Sequence, residues 1–386
     1  MWLLGIIFIF FPIIGLPIYI FSYFSNKNKK GILYSILLGL VLGILAYYFI
    51  PPSDYDLYRH QYIVRQLANR NFAQFLSVAK IIDLEFLPLL YSYMISLIKN
   101  IDLLQFFVVS LGYTILFYML YDYRKISQLK LLPFTAIVMF TIFGFHALYF
   151  ISGLYFYIAI IILAFALYNE YVKENKKIIS YLLYISVLFI HNAMFFPIAI
   201  LLIYKIFHNR FNVRSVLTCL SIFVFAWYVL FFVNSILDLD ILKRIMAMYD
   251  SYISSNDRMQ KFYSGTVFFI EITKWLITLL CIFLQKEKNK TTGINGYILL
   301  LSLCTLMMIP RSIVMIRFVM LIQFLGIVAM MDSLRKVTRN RFLLLLLILG
   351  FALLYTVYFY HILSDQDFGN LFNEKITNNI FNVMRK

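Results

Sequence analysis

Apolar runs about as long as a bilayer is thick follow one another along the whole chain. Runs of spanning length, about 17–25 residues, fall at 2–24, 31–50, 102–121, 147–169, 215–234, 265–285 and 341–362. Shorter candidates lie at 130–145, 294–309 and 317–331, and three segments, 86–98, 178–190 and 193–207, are too short or too awkward to assign by length. Inside hydrocarbon every backbone N–H and C=O must be satisfied within the segment itself, which predicts helices. The expected fold is an all-α, polytopic integral membrane protein of about 10–13 membrane helices, re-entrant elements included. Composition agrees: 63% of the 386 residues are hydrophobic and 13% charged, against about 25% charged in soluble domains. A water-soluble globule is excluded, and residues 1–386 read as a single transmembrane domain. The first run has no basic flank and no small-residue cleavage site, so it reads as a retained span. Cys219, Cys281 and Cys304 all lie in apolar runs, without the spacing of a disulfide framework or a zinc site.

The net charge of +16 would suit a nucleic-acid partner if it formed a patch, but it is scattered over short loops. Segments 25–30, 122–130, 170–177, 205–214, 286–290 and 332–341 hold 19 of the 34 basic residues and 5 of the 18 acidic ones. Lys and Arg collect in short cytoplasmic loops, so the excess charge reports topology, and no nucleic acid is expected as a partner. Placing all six loops on one side requires residues 86–98 to be a short re-entrant or surface helix dipping from the outer face. It also makes 178–207 two elements that begin and end at the cytoplasmic side, rather than one helix kinked at Pro197. A 13-residue arm reaches only about 20 Å, so the turn at His191-Asn192 is expected within the membrane depth. Segments 51–101 and 235–264, the N-terminus and the tail 363–386 come out external.

The long external segments carry the polar chemistry. Pro51-Pro52 ends the second span and Ser53 or Asp54 can cap a new helix, with Tyr55, Tyr58 and Tyr62 on one face flanked by Arg59 and Arg65. In 235–264, Ile241, Ile245, Met248 and Tyr252 share a face opposite Lys243-Arg244. Both read as interfacial helices with a cationic face toward an anionic group. Asp54-Tyr55-Asp56 has the DxD spelling of metal-binding sugar-nucleotide enzymes, but the spelling recurs at Asp238–Asp240 and Asp365–Asp367. Residues two apart on a helix also point away from each other, so first-turn acids favoured by the helix dipole are the plainer reading. Glu85, ahead of Pro88, divides between first-turn acid and catalytic base. His191 is either a backbone-bonded turn residue or a functional group, since a histidine inside a membrane needs a reason. Glu271 and Lys274, three apart on one span, form a neutralising pair. Arg311 and Arg317 sit at outer helix ends, where the positive bias disfavours them, and so read either as snorkelling side chains or as ligands for a substrate anion.

Arginine forks bind phosphate oxygens in two-pronged fashion, and the chain has no GxxxxGK[ST], HExxH or Gly-rich dinucleotide motif. A lipid-borne diphosphate sugar, already activated, fits that inventory. The residues also resemble a family. Asp54-x-Asp56-x-Tyr58 after the second span, Glu85-Phe-Leu-Pro-Leu-Leu before a short helix, Ile190-His191-Asn192 in mid-chain and Arg317-Phe318 opening a late span resemble EpsG-like and Wzy-type polysaccharide polymerases, over roughly residues 45–330. Such proteins typically carry an Arg in the segment matching Ser152-Gly153-Leu154-Tyr155-Phe156, where Tyr155 stands here. The resulting gap in phosphate binding would pass to Arg244 or Arg311. The resemblance implies a multi-span (GT-C-like) glycosyltransferase joining polyprenyl-diphosphate-linked repeat units on the outer face of the cytoplasmic membrane. It implies Arg244, Arg311 and Arg317, with Arg59 as a weaker candidate, as diphosphate ligands, and Asp56, Glu85 or His191 as the base. The scheme needs no cofactor and no metal. Its partners are the lipid-linked oligosaccharide, the membrane and other polysaccharide-assembly proteins. Two other readings remain: a transferase using a polyprenyl-monophosphate sugar, and a flippase or exporter of lipid-linked oligosaccharide. The second is disfavoured because transporters are commonly built from repeated halves and no internal repeat is found.

Overall fold

The computed structural model describes residues 31–49, 51, 56–82, 86–144, 150–151, 153–174, 177–222, 225, 265–285, 292–306, 312–335, 342–352 and 354. Among these residues the fold is all-α, with no strand. The principal helices are α1 (Gly31–Tyr47), α2 (Asp56–Leu67), α3 (Phe72–Ile82), α4 (Phe86–Ile98), α5 (Leu103–Ser127), α6 (Leu131–Gly144), α7 (Leu154–Tyr171), α8 (Lys177–Ile190), α9 (Phe195–Ile206), α10 (Gly265–Phe283), α11 (Thr292–Leu306) and α12 (Ser312–Ser333). Three are long and apolar enough to cross a bilayer, Leu103–Ser127, Leu154–Tyr171 and Met315–Ser333, and shorter apolar helices accompany them, Val213–Ile222 and Phe342–Ala352 included. On α8 the large apolar side chains Ile178, Leu182, Ile185 and Phe189 stand exposed, a surface that water does not tolerate but lipid does. The chain is a membrane-embedded helical protein.

Two compact units make up the chain. The first comprises Met1–Phe165, Ile185–Asn192 and Met330–Lys386, and the second Ala166–Tyr184 and Ala193–Ala329.

In the first unit α1 lies antiparallel on α5. Gly31 faces the Tyr121 ring, Gly39 faces Thr114 and the Ser110 carbonyl, and Gly43 faces Ser110 and the Phe106 carbonyl. A Cβ at Gly39 would stand 2.5 Å from that Ser110 carbonyl oxygen, so only glycine allows the two backbones this close. The end of α1 meets the start of α5, where Asn100 donates to the Tyr47 hydroxyl at 3.0 Å and Tyr47 packs edge-on against Phe106. Tyr47 and Asn100 therefore lie together at one end of the α1–α5 pair. The other end of α5 carries Arg124 and Lys125, and there the Tyr123 hydroxyl bonds Asp332.

In the chain between the end of α1 and the start of α5, the short helices α2, α3 and α4 pack together. Burying Leu57, Val64 and Leu67 fixes the inner face of α2, while Leu67, Phe75, Leu89 and Tyr93 form a cluster with α3 and α4. A reciprocal pair starts α3: Asn71 Oδ1 accepts the Gln74 N–H at 2.9 Å, and Gln74 Oε1 accepts the Asn71 N–H at 3.0 Å. That is a capping box. In α7, Tyr118 meets Phe165 and Gly112 meets Ile161, so α7 runs parallel to α5.

Residues 178–207 form the expected helical hairpin, whose start, up to Tyr184, and second arm, from Ala193, belong to the second unit. Helix α8 ends at Ile190, a single 3₁₀ turn spans Asn192–Met194, and α9 begins at Phe195. Pro197 lies in the first turn of α9, where its missing N–H costs nothing, so it starts a helix instead of kinking one. The end of α9 returns to the start of α8: Lys205 lies over the Tyr181 and Tyr184 rings and pairs with Glu170 at 2.8 Å. Helices α10 and α11 are antiparallel, with Trp275 donating to Ser302 at 3.1 Å and Asn295 bonded to Gln285. Helix α12 runs parallel to α10, Gly326 packing on Thr278.

Some expected boundaries move. Helix α5 continues to Ser127, absorbing most of the 122–130 loop, because Tyr121, Tyr123 and Arg124 are buried there. Helix α12 starts at Ser312, five residues before the expected 317, so Arg317 lies in its second turn rather than opening it.

Candidate functional site

Within the first unit, the start of α7 is where the polar elements meet. Helix α2 is positioned there by its buried face. Gln61, buried beside Leu57 and Val64, donates to Asp102 Oδ1 at 3.5 Å and to Gln105 Oε1 at 3.3 Å on α5. Gln105 itself donates to Asp102 at 3.4 Å. One position earlier, the His60 ring lies edge-on to Tyr155 with centroids 4.5 Å apart. The Tyr155 hydroxyl, buried, sits 2.9 Å from Ser92 Oγ and donates to the Pro88 carbonyl at 3.4 Å, both on α4. Tyr91 on the same helix donates to the Leu103 and Leu104 carbonyls, seating α4 on the start of α5. Burial lowers the His60 pKa to about 4, with a further push from Arg59 that Asp56 partly opposes. A neutral imidazole is therefore held at the start of α7 at physiological pH.

The expected residues fall out as follows. Asp56 is the first residue of α2 and pairs with Arg59 at 3.2 Å, their side chains 37% and 70% exposed. An exposed pair of this kind contributes little to stability, and it offers a phosphate a guanidinium already shared with a carboxylate. The Tyr stripe of α2 is exposed at Tyr58 and Tyr62, with Arg65 over the Tyr58 ring at 6.0 Å. His191 ends the helix it follows, its N–H donating to the Val187 carbonyl at 3.1 Å. Its ring meets Phe156 edge-on at 5.3 Å. Since Phe156 follows Tyr155, the fold brings His191 and His60 of α2 to the same turn of α7 from positions 131 residues apart in sequence. Asn192 Oδ1, beside His191, is buried without a hydrogen-bond donor among the described residues.

Arg317 belongs to the second unit, half-buried on α12, with its neighbour Phe318 packed on Phe196 at 4.7 Å. Glu85, Arg244 and Arg311, and with them segment 235–264, the tail 363–386 and the acids at 54, 238–240 and 365–367, lie outside the described residues. In the same unit Lys274 and Glu271 form the expected ion pair, fully buried. Gln323 on α12 donates to Glu271 Oε2 at 2.9 Å and to its backbone carbonyl at 3.2 Å. This pair joins α10 to α12, a structural use of intramembrane charge.

Sequence reasoning did not single out His60, Gln61 or Ser92. The signal was available: Leu57, His60, Gln61 and Val64 fall at 3- and 4-residue spacings on one helix face, which marks His60 and Gln61 as docked. Among the described residues no three His, Cys, Asp or Glu side chains converge as a metal site would require. No protein-family model matches the chain, and no curated protein or solved structure does.

Proposed function

We propose that the protein is a membrane glycosyltransferase of the multi-span, GT-C-like kind, which polymerises polyprenyl-diphosphate-linked oligosaccharide repeat units on the outer face of the cytoplasmic membrane. One observation carries this reading: the α2 segment with Asp56, Arg59 and His60 and the distant His191 converge on the first turn of α7, at the end of α5 opposite Arg124 and Lys125. If the basic end is cytoplasmic, as loop charge asymmetry implies, that convergence faces outward, where a flipped lipid-linked oligosaccharide is presented.

In this reading the growing chain leaves its lipid diphosphate and is attacked by a hydroxyl of the next repeat unit. Arg244, Arg311 and Arg317 hold the diphosphate and stabilise the charge developing on it. Asp56, Glu85 or His191 stands near the acceptor. Arg59 is demoted by its ion pair with Asp56. The whole scheme has about 10–13 membrane elements, re-entrant ones included.

The test is purified protein in vesicles given a single lipid-diphosphate-linked repeat unit. The expected product is a ladder of polymer lengths. Addition of one sugar only would favour a monophosphate-sugar transferase, and movement of the lipid across the bilayer without product would favour a flippase. Either result defeats the proposal.

A further inference from the structure

We infer that His60 is the group that takes the acceptor hydroxyl's proton, an assignment that rests on the glycosyl-transfer reading above and adds a catalytic residue to it. Three observations carry it. First, His60 lies on the docked face of α2, three residues after Leu57 and four before Val64, and is half-buried at the start of α7. Second, its ring is held in place by Tyr155, whose own hydroxyl is engaged by Ser92 and the Pro88 carbonyl. Third, among the described residues no group hydrogen-bonds either imidazole nitrogen. Neither nitrogen is among the fully buried polar atoms left without a partner, so the imidazole is half-buried with its unengaged nitrogens still accessible. Here the geometry keeps them for a guest. Asp56 is less suited, since its carboxylate is shared with Arg59 at a partly exposed helix start.

The charged and titratable groups around the ring are Asp56 and Arg59 on its own helix and Tyr155 on α7. Tyr91 of α4 is turned to the Leu103 and Leu104 carbonyls, and Asp102 of α5 to Gln61 and Gln105. Burial and Arg59 keep the ring unprotonated at neutral pH, so it is ready to accept.

The acceptor hydroxyl oxygen forms a bond to the donor's anomeric carbon while the bond from that carbon to the diphosphate oxygen breaks. The electron pair leaves with the diphosphate. The hydroxyl proton passes to the unprotonated nitrogen of His60, and the imidazolium, facing Asp56, returns it to water after release.

The experiment uses the full chain in vesicles with a synthetic polyprenyl-diphosphate-linked repeat unit. His60→Gln is expected to lower kcat by about 10²- to 10⁴-fold, the usual range for a positioned general base, with KM changed by less than about threefold because ground-state binding is retained. His60→Ala is expected to regain activity with added imidazole, a rescue that a packing role does not produce. Thermal melting of both variants at pH 7 separates misfolding from lost chemistry: should His60→Gln melt early, imidazole rescue of His60→Ala decides. Polymerisation by His60→Gln within a few-fold of the parent overturns the assignment, as does absence of rescue in a folded His60→Ala protein. A parent protein that makes no glycan overturns the glycosyl-transfer reading itself, and the base assignment with it.

Discussion

Replacing Lys274 by Met tests how the second unit holds an ion pair where water is absent. Lys274 and Glu271 are 2% and 0% exposed, so among the described residues the carboxylate left behind would keep the Gln323 amide alone as a partner. Removing one member of a buried pair costs about 3–5 kcal/mol, whereas replacing both by apolar residues of similar volume is often neutral or stabilising. The double variant Glu271→Met/Lys274→Met should therefore be more stable than Lys274→Met alone. It leaves Gln323 its second acceptor, the Glu271 backbone carbonyl at 3.2 Å, which remains whatever side chain stands at 271. The expectation is a loss of about 3 kcal/mol or more for the single variant, a double variant within about 1 kcal/mol of the parent, and a coupling energy above about 2 kcal/mol from the cycle. Denaturant unfolding of purified protein in lipid nanodiscs, followed by tryptophan fluorescence with Trp2 and Trp227 replaced by Phe so that Trp275 alone reports, reads all four corners. A single variant as stable as the parent, or a double variant no better than the single, would refute the argument that burial makes the pair an all-or-none unit.

Other expectations concern helix contact, pH and sidedness. Gly39→Ala should destabilise by about 1–3 kcal/mol, the usual range for overpacking, because its Cβ meets the Ser110 carbonyl oxygen at 2.5 Å. Gly350→Ala, with nothing within 4 Å, should be neutral or stabilise by up to about 1 kcal/mol; equal effects in thermal melts would contradict the packing described. Because the folded state holds His60 at about 4 and the unfolded state near 6.5, the unfolded chain binds more protons between those values. Stability from α2 docking should thus be full above pH 6.5 and fall as pH drops toward 4, by about 3 kcal/mol at most. Hydrogen exchange of α2 amides follows it, and a His60→Phe protein should lose this dependence. Lys205→Met should loosen the α8–α9 hairpin by about 1–3 kcal/mol, since among the described residues Glu170 then keeps Tyr184 alone as a donor; a hairpin equally protected from exchange would count against this. A cysteine at Tyr62, in a chain whose native cysteines are replaced, should react with an impermeant maleimide added outside intact cells, and reaction only after permeabilisation would reverse the sidedness.

Particular elements show where sequence was enough. The membrane class followed from run length and from the scarcity of charge, because hydrocarbon leaves the backbone no alternative to helix. The 178–207 hairpin was legible from loop charge and from arm length, and Pro197 took the first-turn place that its chemistry allows. Helix ends were less so. Helix α5 outruns its apolar run through Arg124, because burial at that end depends on Phe134 of α6, over which Arg124 lies at 4.6 Å, and a hydropathy pattern does not contain that partner. His60 was missed for a related reason: its spacing was visible, but Tyr155, which holds its ring, lies 95 residues away.

By itself, then, the sequence determined the solvent of this protein, the helical character of the described apolar segments, the pairing of Glu271 with Lys274 and the gathering of basic residues in short loops. These are properties of composition and of neighbours within one or two turns, and local physics decides them. Only the tertiary structure decided which distant residues share a site: that Gln61 of α2 locks onto Asp102 and Gln105 of α5, that His60 and His191 approach adjacent residues of α7, and that Gln323 completes the Glu271 pair. Such meetings depend on which helix faces pack, and many arrangements of the same amphipathic faces satisfy a linear pattern equally well until side-chain volumes and buried polar groups select one.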